Sequence, residues 1–261
     1  MSDPFLSALP PALRTRRDVL EERGRWASGR VVASSAHAVV VALGAPALVW
    51  ALGDDRDLAV LVPQALATLG PGVRWVTAPR AVQVPDDALR AAGLERRTSW
   101  DRMTLEVPPP HQPGEDDVVA VDVTADADAV VACLALANPR THAAPGGPDD
   151  VAWWAVRAAD DGFDGVIGVE RRSTLPPAAP DGPGGHAVFL HGLGVVPHAR
   201  GRGLGAALTA VAARRAFEAG APSVGLGMYA DNAPARRVYD GLGFTVLSAN
   251  AGYGPPGADR P

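Results

Sequence analysis

Apolar positions in this chain switch repeatedly between a period of two and a period near 3.6. Val39–Leu43 and Ala47–Leu52 are apolar runs separated by Gly44-Ala45-Pro46, which predicts two strands of a hairpin. Leucines at 58, 61, 66 and 69 have helical spacing, so Asp57–Leu69 is expected to be a helix stopped by Gly70 and kinked at Pro63. Val73–Thr77 reads as a strand, Asp86–Ala92 as a short helix ending at Gly93, and Arg97–Val107 as a long alternating strand. Residues 1–30, with Leu13, Val19 and Leu20 among charges, read as a helical lead-in.

Pro108–Asp117 is rich in proline and acid and marks the expected domain boundary. Beyond it, the pattern predicts a strand at Val118–Val123, a helix at Ala127–Ala137 and a loop through Gly147. A hairpin of Val151–Arg157 with Gly165–Arg171 follows, and then a Pro/Gly-rich loop, Leu175–Gly185. The mostly apolar strand Ala187–Val196 leads into a helix over Gly203–Ala219. Strand Val224–Tyr229, helix Pro234–Leu242 and strand Phe244–Ser248 close the pattern. Strands and helices mixed in this order imply an α/β or α+β fold, a mixed central sheet flanked by helices. The elements from Asp57 to Val107 repeat the order of those after Gly203, so the first half reads as a decayed copy of the second. The expected domains are residues 1–107, a linker at 108–117, and residues 118–261.

Composition narrows the functional class. A hydrophobic fraction of 47% in 261 residues supports a sizeable core, and a net charge of -5 argues against a nucleic-acid partner. Cys133 is the single cysteine, which excludes an intrachain disulfide, and its apolar helical setting makes it a buried small hydrophobe. The first residues lack the order of a signal peptide, and Ala36–Leu52 is broken by His37, Gly44 and Pro46, too short to span a membrane. A cytoplasmic protein without a membrane partner is the expectation. No His/Asp/Glu spacing reads as a metal site.

The candidate chemistry starts at Val195–Ala206, where a strand breaks at Pro197 and turns through Arg200-Gly201-Arg202-Gly203-Leu204-Gly205 into a helix. The first N–H groups of such a helix lack partners and carry partial positive charge, which suits a phosphate. The turn is not a dinucleotide fingerprint, because the acid after the next strand, Asp231, comes too late. It also lacks the Gly-Lys-Ser/Thr of a P-loop. In the first half, Gly53-Asp54-Asp55-Arg56-Asp57 stands at the matching place, and its acids would repel a phosphate.

Arg200-x-x-Gly203-x-Gly205, followed by Tyr229-Ala-Asp-Asn232, Ala235, Tyr239 and Gly241-Leu-Gly-Phe244, resembles the GCN5-related N-acetyltransferase (GNAT) family. The likeness covers about Val118–Ala251, and the whole chain resembles tandem members whose N-terminal copy has degenerated. The resemblance implies acetyl-CoA as donor. Backbone from Arg200 through Gly201, Arg202, Gly203, Leu204, Gly205 and Ala206 would wrap the pyrophosphate, with Arg200 and Arg202 adding charge or simply lying in solvent. Leu193, Gly194 and Val195 would pair with the pantetheine arm, and the Val195 N–H would polarise the thioester carbonyl. Gly192 and Gly194 are expected to leave room for the ligand. Asn232 matches the position that contacts the arm, and it also reads as a helix N-cap. Ala235 belongs to the same set.

Tyr239 matches the family's general acid for the departing thiolate; its other reading is a core aromatic. The base is open. An alkyl ammonium of pKa about 10.4 must lose a proton at a cost of about 4–5 kcal/mol at pH 7. The positions where many members carry glutamate hold Phe189 and Gly227. His191, on the face of Phe189, is the first candidate base and Glu170 the second, unless the acceptor needs none. Asn138, Arg140 and His142 lie in the loop where the family builds its acceptor pocket, with Trp153 and Trp154 nearby and expected on opposite sides of their strand. The expected activity is direct attack of an amine, from a small molecule or a peptide N-terminus, on acetyl-CoA in a ternary complex. The first half would shape the acceptor side or a homodimer contact. Rivals are a non-catalytic acyl-CoA sensor, and transfer to a hydroxyl or from a longer acyl chain.

Overall fold

The structure, a computed structural model, describes residues 4–159, 161–175 and 185–258; Asp160 and most of the expected loop at 175–185 lie outside them. Two compact units emerge. One holds the chain up to Arg102 together with Tyr229–Asp231 and the segment from Leu247 onward; the other holds Met103–Met228 and Asn232–Val246.

In the first unit, helices α1 (Pro4–Ala8) and α2 (Arg17–Trp26) precede strands β1 (Arg30–Ser34), β2 (Ala38–Leu43) and β3 (Ala47–Gly53). Helix α3 (Asp55–Leu69), strand β4 (Val73–Pro79), helix α4 (Asp86–Ala91) and strand β5 (Glu95–Leu105) follow. The β2–β3 hairpin forms as expected, antiparallel with Ala42 opposite Val49, and turns at Gly44. Alternation along β2 explains why helices cover both faces. Ala38, Val40 and Ala42 enter a core with Leu58, Val62 and Leu66 of α3, while Val39 and Val41 join Phe5, Val19 and Trp26 of α1 and α2. Pairing of β3 with β4 is parallel, which the intervening helix α3 permits.

The chain's last strand, β11 (Thr245–Gly254), pairs antiparallel with β4 through Tyr253↔Val76 and Asn250↔Pro79. This moves the end of the chain out of the expected second domain. The compact units also divide within β5, not at the proline-rich segment. The strand runs past its expected end at Ser248 because Gly252 and Gly254 seat the Trp75 ring: a Cβ at either would lie 2.7 or 2.4 Å from it. β1, just beyond the expected helical lead-in of residues 1–30, is a further strand, paired with β2.

The second unit contains β6 (Val118–Ala120), α5 (Ala127–Ala137), β7 (Asp150–Arg157), β8 (Phe163–Leu175) and β9 (Gly185–Val195). Helix α6 (Leu204–Glu218), strand β10 (Val224–Tyr229) and helix α7 (Ala233–Gly241) follow. Strands run in the order β10-β9-β8-β7-β6. β9 lies antiparallel to β8 and parallel to β10, which makes the sheet mixed. Gly194 faces Leu134 and Ala137 of α5, whereas Gly165, beside it in the ladder, faces Leu208 of α6. The two helices therefore cover opposite faces of the sheet. Among the described residues no helix is long and apolar enough to cross a membrane.

Candidate functional site

The site is built where β9 loses one neighbour. β9 and β10 pair only through Val188↔Val224, Phe189↔Gly225 and Leu190↔Leu226, although both strands run on. From His191 to Val195 the β10-side edge of β9 is open. On its other side, Gly192 and Leu193 oppose the single residue Ile167, between the pairs Gly168↔His191 and Val166↔Gly194. This is a β-bulge with Gly192 at φ 60, a left-handed backbone that glycine accepts without strain. Downstream, the Val196 N–H donates to the Asp164 carbonyl at 3.0 Å. In an antiparallel ladder the neighbouring residue then points its N–H the opposite way. The Val195 N–H is thus aimed at the open edge.

That edge runs into the glycine turn. Gly203, at φ 83, is the N-cap of α6, and no side chain caps the helix. The N–H groups of Gly201, Arg202, Gly203, Leu204 and Gly205 donate to no acceptor among the described residues. They form a donor set suited to an anion with several oxygens, such as a pyrophosphate. Arg200 holds the turn in shape, with Nε donating to the Val195 carbonyl at 3.1 Å and Nη2 to the Ala137 carbonyl at 3.0 Å. Arg202 and His198 both reach the Asp164 carboxylate, at 3.2 and 3.0 Å. Both arginines are therefore anchored to the protein, and Arg202 remains largely exposed.

A polar cluster lies on the α5 face of the same strands. Ladder partners share a face, so Phe189 and His191 stand with Glu170 and Gly168. The His191 ring meets Trp153 edge-on at 4.9 Å, in space that exists because residue 168 is glycine: a Cβ there would lie 2.7 Å from both rings. Asp150, at the start of β7, is the hub. Its Oδ2 accepts from the Trp153 indole at 3.1 Å and from the N–H groups of Gly146 and Gly147; its Oδ1 lies 3.2 Å from His191 Nε2. Burial pushes the His191 pKa below its ordinary value, against the pull of Glu170 and Asp150 and with the help of Arg172. Burial thus favours the neutral ring, which is able to accept a proton. Arg172 pairs with Glu170 and lies 4.3 Å over the Phe189 ring.

The space expected beside the glycines of β9 is occupied by the protein itself. A Cβ at Gly192 would lie 2.7 Å from Trp153 and 3.0 Å from Ala143, and one at Gly194 would lie 2.9 Å from Ala137. On β10, Gly225 and Gly227 face the Phe189 ring. These glycines admit neighbouring side chains, and what they leave for a ligand is backbone. Trp153 is buried and Trp154 half-buried, while Asn138, Arg140 and His142 are exposed on their loop. The loop approaches the cluster through Ala143, Gly146 and Gly147 instead. Asp150 and the bulge escape sequence reading. Gly192 inside a strand was the available signal for the bulge, whereas Asp150 looks like one more loop acid.

Tyr239 is 7% exposed, its ring 5.7 Å from Phe244, and burial pushes its pKa up to about 12. Asn232 Oδ1 accepts the Ala235 N–H at 3.2 Å, so the capping role read from sequence is present. Cys133 is buried in the core, and burial raises its thiol to about 11, which makes it a poor nucleophile. Among the described residues no group of three or more His, Cys, Asp or Glu is gathered to hold a metal.

The first unit has the corresponding strand-to-helix turn. There Asp54 caps α3, its Oδ1 accepting from the N–H groups of Arg56 and Asp57 at 2.9 and 3.3 Å. The chain's own carboxylate thus takes up the first donors of this helix.

Residues 126–244 match the Acetyltransferase (GNAT) family. A mycothiol acetyltransferase of Nocardioides sp. is 40% identical over 93 residues, 35% of this chain and 32% of that protein, so the chain spans about a third of this relative's length. A GCN5-related N-acetyltransferase from Kribbella flavida superposes with a TM-score of 0.57 at 20% identity, covering 96% of this chain and 98% of that one. A tandem GNAT protein from the clavulanic acid biosynthesis pathway superposes with a TM-score of 0.50 at 16% identity, over 88% and 83% of the two chains. At these identities the solved structures speak to the fold.

Proposed function

Starting from a GNAT acetyltransferase domain over residues 126–244, we propose that this chain transfers an acetyl group from acetyl-CoA to an amine. The observation that carries the reading is one continuous stretch of unpaired backbone. It runs along the open edge of β9 past Val195 and into the uncapped start of α6. A pantetheine amide can add to that edge as a strand would, and the pyrophosphate fits the N–H groups of the turn. Asn232 and Ala235 at the start of α7 complete the donor side.

In this reading the amine attacks the thioester carbonyl, forming a C–N bond. The oxygen's developing charge meets the Val195 N–H. His191, whose neutral form burial favours, takes the amine proton, and Glu170 supplies negative charge beside it. As the C–S bond breaks, the electron pair stays on sulfur. Tyr239 donates its O–H to that thiolate. Tyr239 acts there as the general acid that the family resemblance implies, protonating the sulfur as it leaves.

The first unit is read as a second copy that has lost donor binding, which the Asp54 cap supports. The acceptor is a small-molecule amine or a peptide N-terminus. The relatives' name places the acceptor of mycothiol acetyltransferases in the first test panel. Thiol release from acetyl-CoA across that panel is the test. Release with at least one amine, reduced by Tyr239→Phe, supports transfer. Tight acetyl-CoA binding with no release for any acceptor supports the rival sensor, a reading favoured by Phe189 filling the place of a carboxylate.

A further inference from the structure

Asp150 is not explained by donor binding or by the core. It lies at the start of β7 with its side chain 14% exposed, and its two oxygens do different work. Oδ2 is saturated by the Trp153 indole and the N–H groups of Gly146 and Gly147. Oδ1 faces His191 Nε2 at 3.2 Å. That nitrogen is sealed from solvent and has no aligned hydrogen-bond partner among the described residues, so the carboxylate at 3.2 Å acts on it through its charge. A lone pair on Nε2 would be turned toward a carboxylate, whereas an N–H there is attracted to it. The buried side of the ring therefore favours the proton on Nε2 and leaves the lone pair on Nδ1. Trp153 restrains the ring edge-on, and Gly168 provides the space in which it lies.

We infer that Asp150 is a positioning residue for His191, fixing the Nε2–H tautomer so that Nδ1 faces the acceptor amine, and tying that orientation to the loop at Gly146–Gly147. The inference rests on His191 being the base. The charged groups facing the ring are Asp150 on β7 and Glu170 and Arg172 on β8. Of the two carboxylates, Asp150 is the one within 4.0 Å of a ring nitrogen.

The first test uses the full-length wild-type chain. Nitrogen-15 chemical shifts of His191, with acetyl-CoA absent and present, should show the neutral ring protonated on Nε2; protonation on Nδ1 overturns the inference. The second test is Asp150→Asn, which keeps size but removes the charge. The His191 pKa, followed by NMR, should fall further, and the acid limb of kcat/KM should move with it to lower pH. kcat should drop at least about 10-fold, a fraction of the roughly 10²–10⁴-fold that a positioned base supplies. Acetyl-CoA affinity should hold, and Asp150→Glu should restore part of the rate. An unmoved His191 pKa and acid limb, or a loss confined to acetyl-CoA affinity, overturns the positioning role. His191→Gln separates the two readings. If it keeps full activity the base assignment fails, while the NMR tautomer still decides what Asp150 does to the ring.

Discussion

Helices α3 and α6 each contain 15 residues, follow a strand that pairs in parallel with the strand after them, and begin in opposite ways. At α3, Asp54 satisfies two of the first N–H groups with its own carboxylate, and Asp55 and Asp57 add negative charge to the first turn. An Asp N-cap stabilises a helix by about 1 kcal/mol, and acids in the first turn add tenths more. At α6, Gly203 provides no side-chain cap and no acid occupies the first turn. That helix start gives up stability of its own and keeps a cluster of donors directed at solvent. The comparison separates a helix start capped by its own side chain from one whose donors stay unpaired, and under the proposed function stability yields to anion binding at the second. The flanking strands follow the same division. β3 continues three residues beyond its last pair with β4, at Trp50, and β9 continues five beyond its last pair with β10, at Leu190.

The largest expected effect lies in the half that carries chemistry. Tyr239→Phe should lower kcat about 10²-fold or more and leave acetyl-CoA affinity within about 2-fold, because the lost O–H acts on the thiolate alone. Steady-state kinetics with a titration of acetyl-CoA checks both numbers. Transplanting the acid is the next sharpest test. Gly203→Asp should weaken acetyl-CoA binding about 100-fold, through roughly 3 kcal/mol of repulsion between a carboxylate and the pyrophosphate. Gly203→Asn, with the same shape and a tolerance for left-handed φ, should weaken it by less than about 10-fold. Equal losses for the two variants would mean that geometry, not charge, distinguishes the helix starts.

His191 gives a pH signature. Its folded pKa lies below the unfolded value, so its stability contribution is complete above about pH 6.5 and is lost as pH falls through the folded pKa. In His191→Gln the fall in Tm between pH 7 and pH 5 should shrink. The smallest effect is expected in the first unit. Asp54→Ala should cost about 1 kcal/mol, or about 2–4 °C in Tm, with kcat and acetyl-CoA affinity unchanged.

Most elements of both units were legible because their apolar positions carry the right period. The ends of α5 coincide with expectation, and those of α6 and α7 fall within one residue of it. What escaped was non-local. β11 looked finished at Ser248 because Gly252 and Gly254 weaken a strand signal, and only the facing Trp75 explains why glycine stands there. Nothing local to Thr245–Gly254 says that it pairs with β4. In the site, the uncapped turn before α6 was readable from its glycines, since backbone N–H groups left unpaired need small residues at fixed places. The His191 environment was not, because Asp150, Trp153 and Gly168 come from two other strands whose register sets the contact. The supposed room beside Gly192 and Gly194 was misjudged for the same reason. A glycine shows that something lies close, and the facing elements decide whether it is a ligand or, as here, Trp153 and Ala137.

The central claim is that one helix start binds the donor and its counterpart does not. Calorimetric titration of the full chain with acetyl-CoA measures this directly. The account predicts one molecule bound per chain, weakened about 100-fold in Gly203→Asp and unchanged in Asp54→Ala. Two molecules bound per chain, or one that is unchanged in Gly203→Asp and weakened in Asp54→Ala, would contradict it.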